Sequence, residues 1–278
     1  MTFPQYVCPV CSKVLVLSEN AFRCENGHCF DIARKGYVNL LTTKGRNPKN
    51  AGDNSLMVKS RSDFLDKGYY SRLAEFVAQV FSEYEFESNA FVIDSGCGEG
   101  YYTYNYALKN PKICFVGIDI SKNAIEHACT RKNTAKLDNL SFAVGSSFSL
   151  PFCDKSADAV ISTFAPVTDK EYARVLKDGG KLIVVSPDKL HLFGLKRVLY
   201  DMPYENKPNA YGLTSFELVS EKKLKYDIEL QTNADILNLF AMTPYYYKTS
   251  VEAKSRLDSI ERLSTSCEFV IQTYQLSI

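Results

Sequence analysis

Residues 92–102, VIDSGCGEGYY, place the tightest constraint on what this chain can become. An apolar strand runs to Asp94, three glycines follow at alternate positions (Gly96, Gly98, Gly100), and the chain then turns into a helix. A strand that enters a glycine turn and leaves in a helix lets the backbone approach a nucleotide closely. A glycine triplet alone is a weak signal, so spacing must choose between ligands. The dinucleotide fingerprint puts its third glycine three positions after the second, which here is Tyr101. This chain puts it after two, at Gly100, and sets an acid, Asp94, just before the turn.

The pattern around the turn alternates. Apolar runs at 90–94, 113–119, 140–144, 158–163 and 180–186 read as strands, with helical segments such as 121–132 between the early ones. Strands apolar on both faces, alternating with helices, predict a parallel sheet covered on both sides. Upstream, residues 56–81 read as helix broken near Gly68, with Leu73, Phe76, Val77 and Val80 on one face. Downstream the pattern predicts a strand near 224–231, helices near 233–241 and 251–263, and a last strand at 268–275.

Asp94 with the glycine spacing resembles the S-adenosylmethionine (SAM) motif of class I methyltransferases. The resemblance implies an α/β fold with a Rossmann-like seven-stranded sheet ending in a hairpin-like pair. Asp119 fits it too: it ends the second strand, nineteen residues after Gly100, where a carboxylate can accept both ribose hydroxyls. The plainer role for Asp119 is a cap for helix 121–132, but Ser121 is better placed for that. GSSFSLPF (145–152), after the third strand, fits the loop that flanks the adenine.

The chain opens on different chemistry. CPVC (8–11) and CENGHCFD (24–31) give Cys8-x2-Cys11, twelve residues, then Cys24-x3-His28. A CxxC turn lets two thiolates converge on one ion, and a second knuckle closes a tetrahedron of sulfur and nitrogen ligands. Four protein ligands leave no open position, so the expected zinc is structural. His28 or Cys29 supplies the fourth ligand, and the spacing favours His28. The competing reading is a group of buried thiols. Cys97, Cys114, Cys129, Cys153 and Cys267 fall in or beside predicted elements and read as core filling.

Nine cysteines, an odd number in a chain without an evident signal peptide, argue against a disulfide framework and for a reduced, cytoplasmic setting. No apolar run approaches a membrane span. The net charge of +1 gives no global polyelectrolyte signal, although residues 31–72 hold nine Lys/Arg against four acids. That stretch suits phosphates or a solvated surface equally. Residues 42–55, rich in Gly, Asn, Thr and Lys, read as a linker. The predicted division is 1–41, a zinc-binding RNA-recognition module; 42–55, the linker; and 56–278, the methyltransferase domain.

Over almost its whole length the chain resembles the bacterial 23S ribosomal RNA (guanine-N1)-methyltransferases of the RlmA type, which include the tylosin-resistance methyltransferase. The marks are the zinc knuckles, FDIARKGYVNLL (30–41), FLDKGYY (64–70), DSGCGEGYYT (94–103), FAP (164–166), VLKDGGKLIVVSPDKLHL (175–192) and MTPYYYK (242–248). Their order and spacing together are specific. The resemblance implies zinc on Cys8, Cys11, Cys24 and His28. It implies SAM contacts from Tyr70, from the Gly98–Glu99–Gly100 turn and from His191, beside Asp94, Gly96 and Asp119. The plainer readings are a core or stacking role for Tyr70 and a surface position on an amphipathic helix for His191. Ser95 departs mildly from the small apolar residue usual in the family's turn.

The implied reaction is SAM-dependent methyl transfer to N1 of a guanosine in a 23S rRNA hairpin loop, before or during ribosome assembly. SAM brings the reactive methyl, so the protein must align the acceptor and exclude water. Guanine N1 carries a proton that has to leave, and no residue of the sequence identifies itself as the base. Enzymes that methylate exocyclic amines often carry Asn/Asp-Pro-Pro-aromatic after the fourth strand. The slot here reads Phe164-Ala165-Pro166, which fits a ring nitrogen and leaves Phe164 to stack on the base or pack beneath it. As a hypothesis, the zinc module and basic linker grasp the hairpin; the rival is a zinc staple for a small appendage. The family also implies a homodimer. Two other functions compete: a small-molecule methyltransferase with a structural zinc module, and a non-catalytic zinc RNA-binding protein. Asp94, the three glycines and Asp119 speak against the second.

Overall fold

A computed structural model describes residues 5–42, 52–84 and 86–277, so most of the predicted linker, with Lys44, Arg46 and Lys49, lies outside the described residues. The chain begins with three short strands, β1 (Val16–Ser18), β2 (Ala21–Arg23) and β3 (Cys29–Asp31), paired antiparallel in that order. β4 (Val38–Asn39), α1 (Ser55–Asp66) and α2 (Ser71–Glu83) follow. The two helices are separated at Gly68, whose φ of +81° suits a residue without a Cβ. Next come β5 (Phe91–Ser95), α3 (Tyr101–Lys109), β6 (Cys114–Asp119), α4 (Lys122–Ala135), β7 (Leu140–Val144), β8 (Ala157–Thr163), α5 (Asp169–Val175) and β9 (Leu176–Pro187). The chain finishes with α6 (Phe193–Leu199), β10 (Phe216–Leu230), α7 (Asn233–Ala241), α8 (Tyr245–Lys248), α9 (Val251–Ser255) and β11 (Leu263–Leu276).

The main sheet has the order β10-β11-β9-β8-β5-β6-β7-β4. From β4 to β9 the pairs are parallel, while β11 runs antiparallel to β9 and to β10, the last two strands forming a long antiparallel pair joined through three helices. Seven of these strands are the predicted sheet. The eighth, β4, comes from the N-terminal segment and pairs with β7 through Val38 and Asn39. Strand order reverses at β5, with β6 on one side and β8 on the other, and the crevice outside the carboxyl ends of such strands is where open α/β sheets bind ligands.

Successive strand residues face opposite layers. Val92, Phe115 and Ile161 enter one core with Leu73, Val77 and Phe81 of α2, Tyr106 of α3 and Ile125 of α4. Phe91, Ile93, Val116 and Val160 enter a second core with Tyr172 and Val175 of α5. Both faces are covered, as expected, but on the second face helices do not cover the sheet alone. The β7–β8 connection carries no helix, and Tyr6, Cys8, Leu15 and Cys24 of the N-terminal module share that core with Leu150 and Phe152. Tyr6 packs on Phe152 at 5.4 Å between ring centroids, and the Val7 N–H donates to the Pro151 carbonyl at 2.9 Å. The knuckles therefore form part of the domain's second layer.

One predicted helix is shorter than expected. The segment 251–263 is helical only as far as Ser255; beyond it the chain continues in tighter turns, and the carbonyls of Leu257 (2.7 Å) and Ile260 (2.9 Å) accept from Asn233 Nδ2. Among the described residues, no helix is long and apolar enough to cross a membrane.

Candidate cofactor crevice and metal centre

At the end of β5 the chain meets the glycine turn, in which Gly96, Gly98 and Gly100 all have positive φ. Two of them are close-packed: a Cβ on Gly96 would stand 2.4 Å from Ala165 Cβ, and one on Gly100 would stand 2.6 Å from Ala128 Cβ. Gly98, at φ +57°, faces open space instead. Its N–H donates to Asp119 Oδ2 (2.9 Å), and the Ser121 N–H donates to Asp119 Oδ1 (2.7 Å). Ser121 Oγ accepts the Ala124 N–H and caps α4 itself, which leaves the Asp119 carboxylate pointed at the turn. Burial raises the Asp119 pKa, against the pull of those two amides.

Asp94 is buried behind the turn. Its Oδ2 accepts from Thr103 Oγ1 at 2.6 Å, and its Oδ1 has no hydrogen-bond partner. Burial pushes its pKa up to about 7, with the Thr103 hydroxyl opposing the shift. A buried carboxylate oxygen without a donor is costly unless a ligand supplies one, so Asp94 fits a cofactor with a cationic or N–H group. The carboxylate of Glu99 turns elsewhere: Oε2 pairs with Arg131 Nη2 at 2.7 Å, and Arg131 Nη1 reaches Asp66 Oδ1 at 2.7 Å. Its other oxygen, Oε1, is buried and has no hydrogen-bond partner. Arg131 carries no spacing signal in the sequence.

Tyr70 and His191, separated by 121 residues, are brought together, with Tyr70 Oη 3.4 Å from His191 Nε2. The Glu268 N–H donates to His191 Nδ1 at 3.3 Å, so Nδ1 is an acceptor and Nε2 carries the ring proton toward Tyr70. Burial, helped by the positive charge of Lys196, lowers the His191 pKa to about 3, and the ring is neutral. His191 is buried ahead of α6, not exposed upon it. An aromatic run links this pair to the first turn of α3. Tyr102 meets Phe164 (6.0 Å), Phe164 meets Phe269 (5.7 Å), and Phe269 meets both Tyr70 (5.2 Å) and His191 (4.7 Å). Phe164, at the end of β8, has φ +57° and stays 37% exposed. A bulky side chain held in the left-handed region beside a crevice marks a position of special use.

In the N-terminal module one ligand atom each from Cys8, Cys11, Cys24 and His28 lies within 4.8 Å of the others. Cys11 Sγ and Cys24 Sγ are 3.7 Å apart, and Cys24 Sγ lies 3.3 Å from His28 Nδ1. Two thiolates on a tetrahedral zinc, each at ~2.3 Å, stand about 3.8 Å apart, so the donor set fits the ion. The backbone N–H of Lys13 is the main cause of a Cys11 thiol lowered to about 6, toward the thiolate that a metal requires. Cys29 is exposed in β3 opposite Arg23, with its Sγ near Asp31, outside the cluster.

Local pairing spends much of the predicted basic stretch. Lys35 meets Glu126, Lys59 meets Asp63, Arg61 meets Asp53 and Lys67 meets Asp235. Arg72 lies over the Tyr226 ring.

Comparison with known proteins agrees with this geometry. A methyltransferase domain family matches residues 86–243, and the RlmA N-terminal zinc ribbon matches residues 6–49. SAM is thus the cofactor of the larger domain, and zinc the structural metal of the ribbon. A 23S rRNA (guanine(748)-N(1))-methyltransferase of Streptomyces fradiae is 31% identical over 95% of both chains. A Bacillus subtilis (strain 168) protein, YxjB, is 31% identical over 93% of both, and its guanine-N1 name is provisional. The same holds for a Micromonospora griseorubida protein at 31% over 88% of both. With so much of each length aligned, the chain belongs to the family of 23S rRNA (guanine-N1)-methyltransferases.

Proposed function

We propose that this protein transfers a methyl group from SAM to N1 of a guanosine in a hairpin loop of 23S rRNA. The observation that carries the reading is its 31% identity, over 95% of both chains, with an enzyme named for that reaction. The crevice supports it with a turn and acids suited to the cofactor. SAM, when bound, supplies an electrophilic methyl on a sulfonium.

The protein's own contribution is to bind and orient. In this reading Asp119 takes the ribose hydroxyls on the lone pairs its two amide contacts leave, and Gly96, Gly98, Gly100 and the Glu99 backbone line the turn. Asp94, with its unpartnered oxygen, faces the cofactor's positive charge, and the Tyr70–His191 pair closes the far end. His191 is not the base for guanine N1: its Nδ1 lone pair is taken by the Glu268 N–H, and Nε2 already carries a proton. The guanine must leave its pairing partner to expose N1, which favours a loop or a flipped nucleotide. In this reading Phe164, half-exposed and held by Tyr102 and Phe269, receives the base on its ring. Ala165 and Pro166 offer no side-chain acceptor for an exocyclic amine.

Cys8, Cys11, Cys24 and His28 hold the zinc in this reading. Residues 1–41 guide the RNA, residues 42–55 link the two parts, and residues 56–278 carry the chemistry. The enzyme works in the cytoplasm as a homodimer, on rRNA before or during ribosome assembly. Labelled methyl transfer from SAM into rRNA of cells lacking the gene, followed by nucleoside analysis, tests the reaction. 1-Methylguanosine is expected. No label in naked rRNA or in assembling particles, with SAM binding intact, would assign the enzyme a small-molecule acceptor. Sedimentation of the zinc-loaded protein tests the dimer.

A further inference from the structure

Lys196 lies on the buried side of α6 and has no solvent exposure. A buried ammonium normally comes with a carboxylate, because removing its charge from water is expensive. Among the described residues Lys196 has none. Its Nζ donates to the Tyr204 carbonyl (2.9 Å) and to Asn206 Oδ1 (2.6 Å), and it sits over the rings of Tyr204 (4.5 Å) and Tyr245 (5.5 Å). Neutral acceptors and aromatic faces compensate the charge only in part.

The arrangement has a directional effect. An ammonium can only donate, so it fixes the Asn206 amide with its oxygen inward. Tyr245 Oη donates to the same oxygen at 3.4 Å. The amide nitrogen is thereby turned outward, where it donates to the carbonyls of Asp188 (2.9 Å) and His191 (3.4 Å). The backbone N–H of Asn206 adds a bond to the Lys189 carbonyl at 2.8 Å. One asparagine thus holds three residues of the 188–191 turn, and that turn carries His191 to Tyr70.

We propose that Lys196 is a positioning residue: acting through Asn206, it fixes the 188–191 turn so that the His191 ring stands against Tyr70 and the cofactor site keeps its affinity for SAM. The inference rests on the reading that His191 belongs to that site. Asn206→Asp separates positioning from structure. The carboxylate still satisfies the ammonium, as an ion pair, but removes both donors from the carbonyls of Asp188 and His191. Calorimetry with SAM and thermal melts on the zinc-loaded full chain are the measurements, with His191→Ala as reference and Lys196→Met as a second variant. Asn206→Asp is expected to keep one cooperative melt, lowered by no more than the loss of a donor at each of the two carbonyls, yet bind SAM about tenfold more weakly. The KM for SAM should rise while kcat at saturating SAM stays within about threefold. Lys196→Met should weaken binding similarly and also melt lower. Parental affinity in Asn206→Asp, with His191→Ala clearly weakened, would overturn the inference alone. Parental affinity in His191→Ala would overturn the reading of the site, and the inference with it.

Discussion

Asp119 Oδ2 accepts the backbone N–H of Gly98 at 2.9 Å, so the acid that ends β6 also holds the turn that ends β5. In the proposed reading the cofactor's ribose and the protein's own backbone draw on one carboxylate. Asp119→Ala strands the amides of Gly98 and Ser121 and should cost about 1–3 kcal/mol of stability for each left unsatisfied. Asp119→Asn keeps one acceptor and the volume. It should hold the fold while binding SAM at least about tenfold more weakly, the loss expected when a charge-assisted hydrogen bond becomes neutral. Melts and calorimetry on the two variants distinguish these outcomes.

Asp94 and His191 make opposite pH contributions. The Asp94 pKa rises from 3.8 to about 7 on folding, so its contribution is full below 3.8 and is lost as pH climbs through 7. The His191 pKa falls from 6.5 to about 3, so its contribution is full above 6.5 and is lost as pH drops toward 3. Between pH 3.8 and 6.5 the two slopes oppose each other in the parent. Asp94→Asn should unmask the histidine, giving a stability that climbs more steeply with pH than the parent's, by up to about 1.4 kcal/mol per unit. SAM is cationic and favours the ionised carboxylate. Its affinity should therefore rise with pH until about 7 and then level, with proton release on binding at pH 6 seen as a buffer-dependent heat.

His28→Ala should lose the metal, and Cys29→Ser should keep one zinc per chain. Because Cys8 and Cys24 share a core with Phe152, chelation should lower the melting temperature of the whole domain, not of a separate module. Metal analysis alongside melts with and without chelator checks both statements. A chelated protein with the parent's melting curve would separate the ribbon energetically from the sheet.

Phe164→Ala removes the half-exposed ring while sparing the turn. Stacking of a base on an aromatic ring is worth ~1–3 kcal/mol, so kcat/KM for RNA should fall by a factor of about 5 to about 160. In the proposed reading the ring serves the acceptor and reaches Tyr70 and His191 only through Phe269, so SAM affinity should stay within about twofold of the parent. A matching loss of SAM affinity would move Phe164 from the acceptor to the cofactor.

Local features made much of this legible in advance. The run at 113–119, realised as β6 from Cys114, and the Gly68 break each depend on neighbouring residues only, and both appear where the periodicity puts them. Features that depend on distant partners did not appear in the pattern. β4 has two residues and acquires its identity from β7. The carbonyls beyond Ser255, in the segment predicted as helix 251–263, are satisfied by an asparagine on α7. Spacing favoured His28 over Cys29 without excluding Cys29; the pairing of β3 separates them by turning Cys29 toward Asp31. Glu99 matched a motif, yet its carboxylate follows Arg131, a charge that no motif announces.

The pairing of Val38 with Ala143 has a consequence for how the molecule is made. During synthesis the segment holding β4 leaves the ribosome well before β7 exists, so the sheet edge it must join is absent when it emerges. Contacts this far apart in sequence form late and slowly. The four metal-binding side chains, all within residues 8–28, need only a short loop to meet. The ion can therefore keep the early segment compact and its thiols occupied while the rest of the chain is translated. Zinc supply during growth, and not only in the purified enzyme, is then expected to set how much of the protein reaches its native sheet.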